Sequence, residues 1–154
     1  MKIVADADLY RVTDLFEDLG ELELVPGRQI TKNHLVNADA LIVRSVTSVS
    51  RELLSKTPIQ FVGTATSGVD HVDGEYLAEH NIKLADAKGT NANAVVDYCF
   101  TAMAELGLLD GCELKSMTIG IVGCGAVGSL FASKLSALGL STSSDKGSNP
   151  FSFL

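Results

Sequence analysis

The chain predicts an α/β fold built on parallel sheet, and three observations carry that expectation. Short apolar runs such as Ile3-Val4-Ala5, Leu41-Ile42-Val43, Phe61-Val62-Gly63 and Thr118-Ile119-Gly120-Ile121-Val122 have the length and β-branched character of strands buried on both faces. Between several of them lie segments whose apolar residues recur at helical spacing. The third observation is Gly123-Cys124-Gly125-Ala126-Val127-Gly128, a glycine turn set between one such strand and one such helix.

In order along the chain, Ile3-Val4-Ala5 precedes a helix marked by Leu9, Val12, Leu15, Phe16 and Leu19, which Gly20 stops. Leu22-Glu23-Leu24-Val25 alternates as a second strand and ends at Pro26-Gly27. Leu41-Ile42-Val43 and Phe61-Val62-Gly63 are the third and fourth strands. A helix over residues 74–80 leads to a weaker fifth strand near Ile82-Lys83-Leu84. Strands alternating with helices imply a flavodoxin-like parallel sheet for residues 1–91, the N-terminal part of a substrate domain. The run over 92–109 reads as a helix, so 92–112 is expected to be a linker helix. Residues 113–140 then open a Rossmann domain with its first βα unit.

Each glycine of the turn has a physical task. Gly123 permits the tight turn, Gly125 lets the backbone approach a pyrophosphate, and Gly128 allows the helix to pack closely on its strand. After them Val127, Leu130, Phe131, Leu135 and Leu138 fall mostly at helical spacing up to Gly139. The helix N-terminus offers N–H groups and partial positive charge to an anion. The alternative is a glycine-rich strand–helix turn with no ligand. A second strand ending in an acidic residue about 20 positions on would complete a ribose site. Asp145 stands near that distance, but Ser141-Thr142-Ser143-Ser144 offers nothing apolar to bury. Residues 141–154 are therefore expected to be a disordered tail, with Asp145 as readily a solvated tail residue as a ribose ligand.

Composition narrows the class of function. With 46% hydrophobic and 20% charged residues the chain is globular, and its net charge of -7 argues against nucleic acid or an anionic membrane as partner. A small phosphorylated ligand needs only local positive charge and stays open. Cys99, Cys112 and Cys124 have no metal-ligand spacing, so no metal is expected and reduced thiols are the plain reading. The start breaks its apolar run with acids, and no run reaches the ~20 apolar residues of a membrane span. A cytoplasmic protein is expected.

Ligands of open α/β sheets bind outside the carboxyl ends of the strands. Arg44-Ser45-Val46-Thr47 follows the third strand and offers a guanidinium fork and hydroxyls to an anionic substrate. Thr64-Ala65-Thr66-Ser67-Gly68 follows the fourth, where hydroxyls and N–H groups could hold a carboxylate or phosphate. Either loop alone could be ordinary surface polarity. His71, in Gly68-Val69-Asp70-His71-Val72-Asp73, is read as a structural hydrogen-bonding residue, because no nucleophile is arranged beside it. His34 and His80 show no partner. Asn91 and Asn93 look first like capping residues of the 92–109 helix, and second like ligand contacts.

These residues together resemble the D-isomer-specific 2-hydroxyacid dehydrogenases. The likeness is carried by Val25-Pro26-Gly27-Arg28, by residues 38–47, by Phe61-Val62-Gly63-Thr64-Ala65-Thr66 and by Gly68-Val69-Asp70-His71-Val72-Asp73. It continues through Asn91, Ala94-Val95-Val96-Asp97-Tyr98 and residues 118–128, and is expected to end near 140. The resemblance implies NAD-dependent oxidation of a small phosphorylated 2-hydroxy acid at its 2-hydroxyl. It further implies substrate contacts from Ser45 and Thr66, with Arg44 and Ser67 nearby, and cofactor contacts from Gly123, Gly125, Ala126, Val127 and Gly128. The family's catalytic Arg, Glu and His, and its dimerising region, would lie past residue 154. A truncated product, inactive by itself, is the expectation; a non-catalytic domain that binds a phospho-acid is the alternative.

Overall fold

The structure, a computed structural model, describes residues 1–107 and 117–145. The chain divides into two compact units, Met1–Lys88 and Gly89–Leu154. The first contains β1 (Lys2–Asp6), α1 (Val12–Phe16), β2 (Glu21–Val25), α2 (Lys32–Leu35), β3 (Ala40–Val43), α3 (Arg51–Leu54), β4 (Phe61–Thr64), α4 (Gly74–Glu79) and β5 (Lys83–Ala85). Its five-stranded sheet has the order β2-β1-β3-β4-β5, and every pairing is parallel. That is the flavodoxin-like order the sequence predicts, with the winding direction reversing between β1 and β3.

The apolar strand runs are explained by burial on both faces. Val4, Leu41, Val43 and Val62 pack on one side with Leu35, Leu54, Tyr76 and Leu77 from α2, α3 and α4. Ile3, Ala5, Ala40 and Ile42 point to the other, where Val12 and Phe16 of α1 meet them. α2 and α3 are single four-residue turns, too short to display the repeat by which a helix is recognised in sequence. The α1 face is the thinner cover. An apolar cleft of ≈ 650 Å³ opens there along Ile3, Phe16, Ile42 and Phe61.

Where β1, β2 and β3 end, one buried carboxylate joins three loops. Asp6 is fully buried and accepts hydrogen bonds from the Gly27 and Asp8 N–H groups at 3.1 Å each. Arg44 donates to it through Nε at 2.7 Å and Nη2 at 3.3 Å. A Cβ at Gly27 would collide with the Asp6 carboxylate and with Val46, so the close approach requires glycine. Thr47, also buried, donates its hydroxyl to the Gly27 carbonyl at 2.9 Å. Burial pushes the Asp6 pKa up, but Arg44 and the two N–H groups outweigh it and hold the carboxyl below its ordinary range.

The second unit, as described, contains α5 (Ala92–Glu105), β6 (Thr118–Val122), α6 (Ala126–Ala137) and β7 (Ser141–Asp145). α5 is not a free linker. Phe100 meets Phe131 of α6 edge-on at 5.3 Å, and Asp97 pairs with Lys134 at 2.9 Å. The part of the expected linker from 108 onward falls outside the described residues up to 116. No helix among the described residues is long and apolar enough to cross a membrane.

The disordered tail expected from 141 is corrected by β7, which pairs in parallel with β6 from Thr118↔Ser141 to Val122↔Asp145. The ladder uses backbone groups and is indifferent to polar side chains. Ser141, Ser143 and Ser144 remain exposed, so their hydroxyls are not desolvated, while Leu140 before them is buried with Ile121 and Leu135. Residues 146–154 lie outside the described residues.

Two expected outcomes test these supports. In the unfolded chain Asp6 regains an ordinary carboxylate pKa of ~4, so its contribution to stability is complete above that value. The contribution disappears as pH falls through the lower, folded value. Asp6→Asn should cost about 3 kcal/mol in urea unfolding at pH 7 and flatten the acid limb of the stability profile; an unchanged acid limb would count against this account. Gly128→Ala should destabilise the second unit by about 2 kcal/mol, because its Cβ would be driven into the Gly123 carbonyl oxygen. Amide exchange should then quicken in α6 while β1 and β3 keep their protection.

Candidate functional site

The reversal between β1 and β3 opens the crevice in which open α/β sheets bind ligands. A cavity of ≈ 370 Å³ lies there, lined by Asp8, Gly27, Arg28, Gln29, Arg44 and Val46. The larger apolar cleft on the α1 face reaches Met1, Asp39, Gln60 and Asn81 at the opposite, amino ends of the strands. Its walls are mainly apolar, and it lies away from the carboxyl ends where such sheets bind ligands.

β3 and β4 pair with Val43 opposite Thr64, so Ser45 and Thr66 each stand two residues beyond that pair. Neighbouring strands thus carry both predicted hydroxyls to the same end of the sheet. Ser45 is exposed and Thr66 half-buried. Ala65 N–H donates to the Val43 carbonyl at 3.0 Å, and Ala87 N–H donates to the Thr66 carbonyl at 3.0 Å, which pins the second loop on both sides. Ser67 is exposed, and its hydroxyl donates to the Ala87 carbonyl at 3.4 Å.

Arg44 departs from the expectation of a fork open to substrate. Besides Asp6, its Nη2 meets Asp8 at 2.7 Å. The Asp6 hydrogen bond and the two carboxylate charges hold the guanidinium more firmly protonated. Nη1 is the nitrogen these carboxylates do not use. Arg28, which sequence reasoning passed over, is exposed at the cavity and makes no ion pair among the described residues. Its signals were its place just past a strand and its membership in Val25-Pro26-Gly27-Arg28, one of the stretches that carry the resemblance.

Thr66 is held by a chain of hydroxyls. Its Oγ1 donates to the Gly68 carbonyl at 2.8 Å and lies 2.8 Å from Thr64 Oγ1, which is 3.0 Å from His71 Nε2. The structural role expected of His71 is present, but its ring partner is Thr64 and not an acid. Thr64 is buried, and the sequence marked it only as one hydroxyl of the loop 64–68, not as the link between His71 and Thr66. His34 does have a partner: Thr31 N–H donates to its Nδ1 at 3.0 Å in a capping box. His80 stacks on Tyr76 with ring centroids 4.0 Å apart. Asn91 occupies the N-cap of α5 without a side-chain capping bond, and Asn93 lies inside the helix.

In the second unit Gly123 has φ 91, and Gly125 is the N-cap of α6 with no side chain over the first N–H groups. A Cβ at Gly125 would meet nothing within 4 Å. Gly128 sits against the Gly123 carbonyl, which draws the start of α6 onto β6. The Ser129 hydroxyl donates to the Cys124 carbonyl at 2.8 Å and stiffens the turn. Ala126 is exposed and Val127 half-buried in the first turn of the helix. The cradle fits a pyrophosphate: the helix start has no side-chain cap among the described residues, and there is room at Gly125. β7 places the backbone of Asp145 at the carboxyl end of the neighbouring strand, beside Val122.

Known proteins of one family share this sequence and fold. The sequence profile described as D-isomer specific 2-hydroxyacid dehydrogenase, catalytic domain, matches residues 5–146. The match runs through β7, past the end near 140 that the sequence suggested. An erythronate-4-phosphate dehydrogenase of Salmonella arizonae is 51% identical over 142 residues, 92% of this chain and 38% of that protein. The chain therefore spans about 38% of the length of such relatives. The NAD+-bound 3-phosphoglycerate dehydrogenase of Entamoeba histolytica superposes with a TM-score of 0.70 at 26% identity, covering 98% of this chain and 54% of that one. A D-lactate dehydrogenase of Aquifex aeolicus, complexed with NAD and lactic acid, shares the fold with a TM-score of 0.72 at 19% identity, over 97% of this chain and 53% of that one. With its profile matched from residue 5 to residue 146, this chain belongs to the D-isomer-specific 2-hydroxyacid dehydrogenase family.

Proposed function

We propose that the chain forms the substrate-binding sheet and the opening of the cofactor domain of an NAD-dependent 4-phosphoerythronate dehydrogenase. The observation that supports this substrate is the 51% identity, over 92% of the chain, to an erythronate-4-phosphate dehydrogenase. In this reading the enzyme oxidises 4-phospho-D-erythronate at its 2-hydroxyl to the 2-oxo acid, a step of pyridoxal phosphate synthesis. It works in the cytoplasm, as a homodimer through a region beyond this chain.

Each described group has a role that its position supports. Ser45 and Thr66 bind and orient anionic oxygens of the acid, with Ser67 beside them. Arg28 brings uncommitted positive charge, while Arg44 organises the crevice and offers Nη1. The turn over Gly123, Gly125 and Gly128, with Ala126 and Val127, takes the pyrophosphate of NAD at the α6 N-terminus. The backbone of Asp145 ends β7, the strand after which an acidic residue receives the adenosine ribose in dinucleotide-binding folds. When bound, NAD supplies the hydride acceptor. The Arg, Glu and His that would orient the acid and take its hydroxyl proton belong to the stretch of the relatives not spanned here. A phosphoglycerate dehydrogenase is the second reading, favoured by the likeness to the Entamoeba enzyme at 26% identity.

Calorimetric titration of the chain with 4-phospho-D-erythronate should give saturable binding, weakened roughly tenfold by Ser45→Ala and by Thr66→Val. A chimera carrying the remaining segment of the Salmonella relative should form NADH faster from 4-phospho-D-erythronate than from 3-phospho-D-glycerate. The reverse order would favour the second reading. The 154 residues alone should form none, because in this reading the proton acceptor, worth ~10²–10⁴ in rate, comes from the stretch of the relatives not spanned here.

A further inference from the structure

We propose that His71, acting through Thr64, sets the Thr66 hydroxyl as a hydrogen-bond donor to an anionic oxygen of the bound acid. The inference rests on the reading of Thr66 as a substrate ligand.

The direction of the relay follows from counting protons. A carbonyl oxygen only accepts, so the 2.8 Å contact with Gly68 uses the single hydroxyl proton of Thr66. The 2.8 Å contact between Thr64 and Thr66 must then use the proton of Thr64. With that proton committed, the 3.0 Å contact between Thr64 and His71 needs an N–H on Nε2. The relay therefore runs from His71 to Thr64 to Thr66, and the neutral imidazole carries its proton on Nε2.

That direction matters for an anion. Thr66 Oγ1 already accepts from Thr64, so the proton it holds toward Gly68 is the group it can turn to a ligand. A carboxylate or phosphate oxygen accepts only, and would replace the Gly68 carbonyl as the acceptor. A relay running the other way would present lone pairs to an anion and repel it. Bonds in such a chain also polarise one another, which strengthens the terminal donor. The backbone holds the relay's origin firmly. Fully buried Val49 donates its N–H to the His71 carbonyl at 2.8 Å, and its own carbonyl accepts from Asp73 N–H at 2.9 Å. His71 and Thr64 are positioning residues; of the three, Thr66 is the one that touches the acid.

Two measurements on the full 154-residue chain test the relay. Long-range ¹H–¹⁵N spectra should show the neutral His71 ring protonated on Nε2, and need no variant; a ring protonated on Nδ1 overturns the proposal. Titration with 4-phospho-D-erythronate should show Thr64→Val and His71→Phe weakening binding roughly tenfold, with Thr64→Ser within about twofold of the parent. If Thr66→Val weakens binding while Thr64→Val and His71→Phe do not, the relay is wrong and the ligand reading stands. If Thr66→Val binds as the parent does, the ligand reading fails and the relay with it.

Discussion

The buried Asp6 carboxylate is the contact on which the carboxyl end of the first sheet depends. An uncompensated charge in that position would be costly, and this one is matched by Arg44 and two backbone N–H groups. Because those partners come from the loops after β1, β2 and β3, satisfying one carboxylate aligns three loops at once. The crevice with Arg28 and the start of the loop bearing Ser45 inherit their positions from it. Gly27 belongs to the same constraint, since a side chain there would displace the carboxylate.

In the proposed function the chain provides for anions in two physically different ways. At the first sheet, side-chain hydroxyls stand beyond neighbouring parallel strands, and their usefulness depends on which way their protons point. At the second, backbone N–H groups at the start of α6 do the work, and the requirement is for absent side chains. The first arrangement can discriminate among small acids by the placement of single oxygens. The second accepts a phosphate group common to many nucleotides, which suits a cofactor shared across a family.

How much was readable in advance varied with the kind of signal. The strand order of the first sheet followed from alternating elements, because apolar runs buried on both faces leave few parallel topologies. The single turns α2 and α3 did not show, since one turn contains no period. β7 was misread because side-chain polarity was taken to exclude a strand. An uncovered strand needs only its ladder and the anchor of Leu140. Arg44 looked like a ligand by its place after β3, and nothing local revealed that Asp6, far away in sequence, would take its Nε and Nη2.

By itself the sequence determined the fold class, the dinucleotide turn and the two hydroxyl loops, since each rests on residues close together in the chain. Local spacing is enough to place a glycine at a helix start or a threonine past a strand. Tertiary structure alone decided which polar groups were already engaged. Asp6 with Arg44, and His71 with Thr64, are joined across separate elements, and hydrogen-bond direction is a property of the assembled set. Charge pairing and proton direction depend on distances that no linear pattern encodes.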